Sequence, residues 1–258
     1  MNATPLPLDA DLVAGLRRLK LATVRRLAPE VLSVAKTQRW APEEVLRTLI
    51  EAEISARDDS NTRTRLRTAE FPVRKTLDEF NLTVSSVPKA TFDYLASLEW
   101  IRAQENLCLV GPAGTGKSHL LVALGHAAVA SGMRVRYHTA ADLVEGLYRG
   151  LADNTVAKII DGLLRADLIV IDELGFAPLD LQGTQLLFRF VAAAYERRSL
   201  GVASHWPFEA WGRFLPEHTT AASMLDRLLH HAVVVVTEGD SYRMRETRQK
   251  GGRTANPS

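Results

Sequence analysis

The chain has 258 residues, of which 46% are hydrophobic and 24% are charged, and its formal net charge is +2. This composition excludes a largely disordered chain and allows the buried core of one large or two unequal domains. No apolar run of 18 residues is free of charge, and the first residues have neither a basic start nor an apolar stretch. We therefore expect no membrane span, no secretory signal and a cytoplasmic location.

Charge is distributed unevenly along the chain. Residues 1–75 contain 14 Lys and Arg against 10 Asp and Glu, which gives +4. Residues 76–239 contain 13 against 18, which gives −5, and residues 240–258 contain 5 against 2, which gives +3. Basic ends favour an acidic partner such as nucleic acid, although ordinary solvated surface charge explains the counts about as well.

The N-terminal part of the chain has a helical pattern. Apolar residues recur at helical spacing as far as about Arg57, and Pro29 and Pro42 stand where helices begin or break. The next segment, Asp58–Lys75, is rich in arginine, and we expect the domain linker there. The pattern predicts a small helical module. With its excess of basic residues, we expect residues 1–68 to form an all-helical DNA-binding or oligomerisation domain with a basic linker.

From residue 69 onward, short apolar runs alternate with amphipathic segments. Near-continuous apolar strands separated by helices predict an α/β domain whose parallel sheet is covered on both faces. We expect this domain to extend over residues 69–247, and the polar, Gly-rich tail at 248–258 to be disordered. The predicted strands are Leu107–Val110, Val135–Tyr137, Leu168–Ile171, Leu200–Ala203 and Val233–Thr237.

A phosphate-binding motif follows the first of these strands. Gly111, Gly116, Lys117 and Ser118 match the P-loop pattern G-x-x-x-x-G-K-[ST], and a helix is predicted directly afterwards at His119–Ala130. The glycines let backbone N–H groups turn toward phosphate oxygens, and the helix N-terminus adds positive potential. We expect the lysine to reach the terminal phosphates of ATP and the serine hydroxyl to ligate Mg²⁺. The predicted nucleotide-binding residues are Gly111, Pro112, Ala113, Gly114, Thr115, Gly116, Lys117, Ser118 and His119.

Two carboxylates end the third apolar run. Asp172 and Glu173 directly follow Leu168–Ile171, a pattern typical of a Walker B strand. Asp172 is expected to hold Mg²⁺ together with Ser118, and Glu173 to polarise the water that attacks the γ-phosphate. Because a glutamate beside the Walker B aspartate suits water activation, the pair predicts ATP hydrolysis rather than phosphate transfer by a small-molecule kinase.

With these motifs, the chain from about residue 10 to 247 resembles the IstB-like ATPases, the helper subunits of two-gene bacterial insertion sequences. These proteins are AAA+ relatives of the DnaC helicase loaders and the DnaA initiator. The resemblance implies an ATP- and Mg²⁺-dependent homo-oligomer that binds double-stranded DNA and delivers it to the transposase of the same element. It rests on the segments Ala69–Phe80, Asn106–His119, Leu168–Phe176, Ser204–Gly212, Met224–His231 and Ser241–Arg243.

The resemblance also implies three further catalytic positions. Arg227 matches the arginine finger, which reaches the nucleotide of the adjacent subunit, and Arg243 matches the sensor-2 arginine. The polar residue after the strand Gly201–Ser204 is usually an asparagine that helps to hold the catalytic water. Here that residue is His205, or Ser204 if the register shifts. A neutral histidine can still donate a hydrogen bond, but its charge depends on pH.

Helical spacing predicts the orientation of Arg227. Within residues 221–231, Met224 and Leu228 share an apolar face, which also includes two neighbouring leucines. Arg227 falls on the opposite face, so we expect it to point away from the core of its own subunit.

Two other functions fit the same motifs. A DnaC-like helicase loader would use the same ATPase domain with a helical N-terminus that grips a helicase. A non-hydrolysing, ATP-dependent DNA clamp would use ATP only as an assembly ligand, and His205 would then mark lost turnover. A transposase gene immediately beside this one would favour transposition over helicase loading. A measurement of phosphate release, with and without DNA, would distinguish an ATPase from the non-hydrolysing clamp.

Overall fold

The computed structural model describes residues 7–239. The chain divides into two compact units between Thr64 and Arg65. Among the described residues, no helix has both the length and the apolar character that a membrane span requires.

The first unit is built from helices. Its described part contains α1 (Ala10–Arg18), α2 (Ala22–Gln38) and α3 (Pro42–Ala69), of which α3 continues past the unit boundary. Pro42 occupies the first position of α3, where its missing N–H would be unpaired in any residue. The break predicted at Pro29 is wrong, because α2 runs through this residue. The proline removes only one hydrogen bond there, and α2 buries Val24, Ala28 and Ala35.

The basic segment Asp58–Lys75, where we expect the domain linker, contains the boundary between the two units, but much of it is helical. It is helical as far as Ala69, because neither Gly nor Pro interrupts α3 after its first residue. The helix ends where Glu70 takes a left-handed conformation with φ of 60°, two residues before Pro72. The arginines that were assigned to a linker therefore lie mostly on the last turns of α3.

A five-stranded sheet organises the second unit, and all of its neighbouring strands are parallel. The strands are β1 (Asn106–Val110), β2 (Val135–Thr139), β3 (Leu168–Leu174), β4 (Ser199–Ser204) and β5 (Ala232–Val236). Their order in the sheet is β2-β3-β4-β1-β5. Helical crossovers between parallel strands bring all the carboxyl ends to one edge of the sheet, which is where ligands bind in open α/β sheets.

Helices cover both faces of this sheet. They are α4 (Lys89–Ser97), α5 (Glu99–Arg102), α6 (Lys117–Ala130), α7 (Ala140–Ala152), α8 (Val156–Leu163), α9 (Leu181–Ala194) and α10 (His218–Leu229). Ile169 and Ile171 of β3 pack in one apolar cluster with α7, α9 and α10, whereas Leu168 and Val170 pack in a second cluster with α6. Alternate residues of a strand point to opposite faces, so β3 is buried on both sides. The predicted α/β fold preceded by N-terminal helices is confirmed.

Candidate nucleotide-binding site

The loop between β1 and α6 turns at three glycines with positive φ. Gly111, Gly114 and Gly116 have φ angles of 141°, 82° and 93°, which residues with a side chain rarely adopt. A Cβ atom on Gly111 would lie 2.0 Å from the main-chain oxygen of Thr237, just after β5. The hydroxyl of Thr115 lies 2.7 Å from the hydroxyl of the same threonine. The segment that follows β5 therefore holds the loop at both ends.

Lys117 begins α6 and is buried. Its ammonium group donates hydrogen bonds to the main-chain oxygens of Gly111 and Pro112, both at 2.6 Å. Burial lowers the pKa of Lys117, and the negative charge of Asp172 opposes this effect. The loop thus places a positive charge at the start of a helix, where the exposed N–H groups also favour an anion.

The other predicted nucleotide-binding residues lie around this lysine. Pro112 and Ala113 are exposed at the tip of the loop, whereas Ser118 and His119 are half-buried in the first turn of α6. The His119 ring meets the ring of Phe80 edge-on, with centroids 5.4 Å apart. Burial is the main cause that lowers the pKa of His119.

The carboxylate of Asp172 is buried and accepts three hydrogen bonds. The hydroxyl of Ser118 donates to Oδ1 at 3.0 Å, and the main-chain N–H of Glu173 donates to the same oxygen at 2.8 Å. The hydroxyl of Tyr137 donates to Oδ2 at 2.8 Å. The two predicted Mg²⁺ ligands are therefore in direct contact, and a third side chain holds the far oxygen of the carboxylate.

Glu173 lies at an irregularity of β3. Its φ is 59°, a left-handed value that is unusual for a residue with a side chain, and the register with β4 shifts between Ile171 and Leu174. Such a bulge turns a side chain out of the regular alternation of a strand. Glu173 is consequently exposed between two buried residues, Asp172 and Leu174. Backbone strain of this kind clusters at functional sites.

The strand between β1 and β3 ends at Ser204. This residue is buried, and its hydroxyl accepts a hydrogen bond of 3.1 Å from the N–H of Trp206. His205 follows and is half-buried, with its ring 4.7 Å from that of Trp206 and 6.4 Å from that of Phe176. Burial lowers the pKa of His205, and the positive charge of Lys117 lowers it further. The hydroxyl of Ser204 is thus engaged by the main chain of Trp206, and His205 directly follows the carboxyl end of β4.

These side chains meet at the carboxyl edge of the sheet. Lys117 and Ser118 follow β1, Asp172 and Glu173 end β3, and His205 follows β4, which lies between those two strands. The oxygens of Ser118 and Asp172, 3.0 Å apart, are the hard ligands that Mg²⁺ prefers, so these residues fit the implied ion.

Arg227 lies elsewhere in the unit. It is half-buried, donates to the main-chain oxygen of Ser223 at 2.9 Å, and covers the ring of Phe188 on α9 at 5.1 Å. The prediction that it points away from its own core is wrong, because it lies at the flank of the packed face of α10 and its long stem covers apolar surface. Its main-chain oxygen lies 3.5 Å from the amide nitrogen of Asn106 at the start of β1. Arg227 is therefore at the amino edge of the sheet, away from the P-loop of its own chain.

The other predicted arginine, Arg243, lies outside the described residues.

Two residues of the site, and one residue that positions Arg227 at the opposite edge of the sheet, were not predicted from the sequence. Tyr137 contacts Asp172, Thr237 contacts the P-loop, and Asn106 fixes the helix that carries Arg227. The only signal for them in the sequence was a polar residue at or beside the end of an apolar strand. A polar group that is buried there needs a hydrogen-bond partner, so each such residue pointed to an unidentified contact.

Comparison with known sequences identifies close relatives over nearly the whole chain. A family model described as IstB-like ATP binding protein matches residues 14–250. An insertion sequence IS5376 protein of Geobacillus stearothermophilus, named for ATP binding, is 33% identical over 232 residues, which cover 90% of this chain and 92% of the relative. An IS21 protein of Pseudomonas aeruginosa, also named for ATP binding, is 32% identical over 247 residues, which cover 95% and 93%.

Solved structures share the fold at lower identity. The crystal structure of DnaI is 16% identical with a TM-score of 0.54, and the match covers 64% of this chain and 92% of DnaI. The AMPPCP-bound DnaA from Aquifex aeolicus is 20% identical with a TM-score of 0.54, and the match covers 71% of this chain and 56% of DnaA. At these identities the likeness concerns the fold alone.

Proposed function

The chain belongs to the family of IstB-like ATP-binding proteins, and we propose that it is a DNA-binding ATPase that acts as a cytoplasmic homo-oligomer. In this proposal it delivers double-stranded target DNA to the transposase of the same insertion sequence. The observation that carries the proposal is the meeting of Lys117, Asp172, Glu173 and His205 at one edge of the sheet. The insertion-sequence names of the relatives support the biological setting.

Each side chain at this edge has a role in hydrolysis. Lys117 binds the terminal phosphates, and Ser118 and Asp172 are the residues that would hold Mg²⁺, which supplies charge neutralisation at the phosphates. Glu173, which the bulge in β3 exposes, orients the attacking water and acts as the general base that accepts its proton. His205 donates a hydrogen bond to that water, in place of the asparagine that is usual in the family.

Arg227 acts in trans in this proposal. It lies at the amino edge of the sheet, and β1 alone separates the two edges by roughly 13 Å, so Arg227 does not serve the P-loop of its own chain. A neighbouring subunit presents its α10 to the γ-phosphate, where an arginine stabilises the charge of the transition state. Arg243 is proposed as the sensor-2 residue.

DNA binding is assigned to the basic segment around the end of α3. Arg67, on the last turn of α3, and Arg74, just beyond the helix, are both exposed. Exposed arginines suit contacts with phosphates. Phosphate contacts carry no sequence information, and we therefore propose binding with little sequence preference.

The nucleotide chemistry is tested by Lys117→Ala. The substitution removes the charge beside the phosphates, so ATP affinity or turnover should collapse while circular dichroism and thermal unfolding show a folded protein. An unaltered rate of phosphate release would refute the assignment of the site. A wild-type protein that binds ATP but releases no phosphate, with or without DNA, would identify the non-hydrolysing clamp.

The DNA contacts are tested by the full-length double variant Arg67→Ala/Arg74→Ala. If both arginines contact phosphates, the affinity for duplex DNA should fall and the salt slope of log K should decrease by about 2. The matched control is Arg165→Ala/Arg197→Ala, which removes two exposed arginines that precede β3 and β4. Equal losses in both variants would contradict the assignment to the basic segment.

The partner is tested by reconstitution with the partner that the proposal names, the transposase of the same insertion sequence. We expect ATP-dependent stimulation of strand transfer into a target plasmid, and we expect Lys117→Ala to abolish it. Stimulation of helicase loading without any effect on strand transfer would support the helicase-loader alternative instead.

A further inference from the structure

Tyr137 reaches the Walker B aspartate from the neighbouring strand. Its partner in the register of β2 and β3 is Val170, and Asp172 lies two residues further along β3 on the same face. From this position the phenol hydroxyl donates a hydrogen bond of 2.8 Å to Asp172 Oδ2. The contact joins residues 35 positions apart, so it depends on the pairing of the two strands.

The hydrogen bonds divide the Asp172 carboxylate into two parts. Oδ1 accepts from Ser118 and from the N–H of Glu173, on the side of the P-loop. Tyr137 is the donor to Oδ2 among residues 7–239. A carboxylate held at only one oxygen can rotate about its Cβ–Cγ bond, whereas donors at both oxygens fix its plane.

The Tyr137 ring is itself supported from the side opposite the sheet. Phe71 packs against it with ring centroids 6.3 Å apart, and Phe71 stacks on His126 at 4.4 Å. Gly125 makes room for this packing, because a Cβ atom there would lie 2.6 Å from the Phe71 ring. A phenol hydroxyl carries its proton at neutral pH, so Tyr137 is the donor in this contact.

We propose that Tyr137 is a positioning residue that holds Asp172 Oδ1 toward the Mg²⁺-bound nucleotide. The inference rests on the proposed nucleotide chemistry and adds to it a residue outside the P-loop and Walker B motifs. Residues that hydrogen-bond a metal-ligating carboxylate orient it, and their loss typically costs about 10–100-fold in metal affinity or activity. Tyr137 would therefore set how much Mg²⁺ the site requires.

The test is a Mg²⁺ titration of fluorescent ATP-analogue binding to full-length Tyr137→Phe, which keeps the ring and removes only the hydroxyl. We expect similar affinity in EDTA to that of the wild type, and a Mg²⁺ concentration for half-maximal binding at least about tenfold higher. Tyr94→Phe is the matched control. Tyr94 also donates to a carboxylate, that of Glu105 at 2.8 Å, but Glu105 precedes β1 at the amino edge of the sheet.

The outcomes separate the possible roles. A Tyr137→Phe protein with a lower thermal unfolding midpoint and the Mg²⁺ requirement of the wild type would show a purely structural hydroxyl and overturn the inference. If the wild type bound the nucleotide without any Mg²⁺ dependence, the proposed chemistry at Asp172 would fail as well. If Tyr137→Phe does not fold, Phe71→Leu keeps the hydroxyl but loosens the ring, and it must raise the Mg²⁺ requirement; an unchanged requirement would count against the inference.

Discussion

The side-chain amide of Asn106, at the start of β1, donates a hydrogen bond of 3.0 Å to the main-chain oxygen of Leu228, near the end of α10. The amide oxygen of Asn106 accepts from the N–H of Leu200 at 2.9 Å. One buried side chain therefore satisfies an end carbonyl of α10 and joins it to β1 and β4. Since Arg227 lies one residue before Leu228, this contact sets where the arginine stands relative to the sheet.

We expect Asn106→Ala to lower the free energy of unfolding by about 2–4 kcal/mol, because it leaves a buried N–H and a buried carbonyl without partners. Urea denaturation measures the loss. The control, Asn81→Ala, removes an exposed side chain that accepts from Thr83, and should cost no more than about 1 kcal/mol. A loss as small for Asn106→Ala as for the control would show that water replaces the amide.

Gly111→Ala should damage the P-loop. The new methyl group would meet the main chain of Thr237 and would strain a φ of 141°, so we expect a loss of at least about 2 kcal/mol in stability together with weaker ATP binding. Gly146→Ala is the opposite case, because it lies inside α7 with open space around its Cβ position. That substitution should stabilise the protein by about 0.5–1 kcal/mol and leave ATP binding unchanged. If Gly111→Ala were as stable as the wild type, the segment after β5 would have to move away from the new methyl group at little energetic cost.

Arg227→Ala should bind ATP nearly normally and hydrolyse it more slowly, by up to roughly 10³–10⁵-fold. Because the arginine acts across an interface, mixing Arg227→Ala with Lys117→Ala should restore part of the activity, since one subunit supplies the P-loop and the other the arginine. The mixture is measured by phosphate release after co-assembly has been verified. Mixtures that stay inactive would argue against action in trans, and wild-type turnover of Arg227→Ala alone would leave it as a packing residue on Phe188.

His205 should make stability depend on mildly acidic pH. Its pKa in the folded protein lies below the ordinary 6.5 because of burial and the nearby Lys117, so the unfolded chain binds the proton more readily. Stability therefore decreases as the pH falls from about 6.5 through the lowered pKa. The difference in unfolding midpoint between pH 7.5 and pH 5.5 should be smaller in His205→Asn than in the wild type. Identical differences would place the imidazole in open solvent in both states.

The sequence by itself determined the parts of this protein that depend on near neighbours along the chain. The P-loop needs glycines, a lysine and a serine within eight positions between a strand and a helix, and the strand ending in Asp172 and Glu173 needs only an apolar run before two carboxylates. Local periodicity also predicted the parallel sheet and the N-terminal helices. It failed at Pro29, because a helix tolerates one proline. It also did not predict that α3 continues as far as Ala69, because basic residues form helix well when no Gly or Pro interrupts them.

Only the tertiary structure decided which distant residues share the site. Strand order places β4 between β1 and β3 and β5 beside β1, and neither placement follows from any local pattern. That order brings His205 to the lysine side, Thr237 against Gly111 and Tyr137 onto Asp172, and it leaves Arg227 at the opposite edge. The bulge that exposes Glu173 is likewise a property of strand pairing. Such contacts are set by register and packing between segments far apart in the chain, and the order of residues within any one segment does not contain that information.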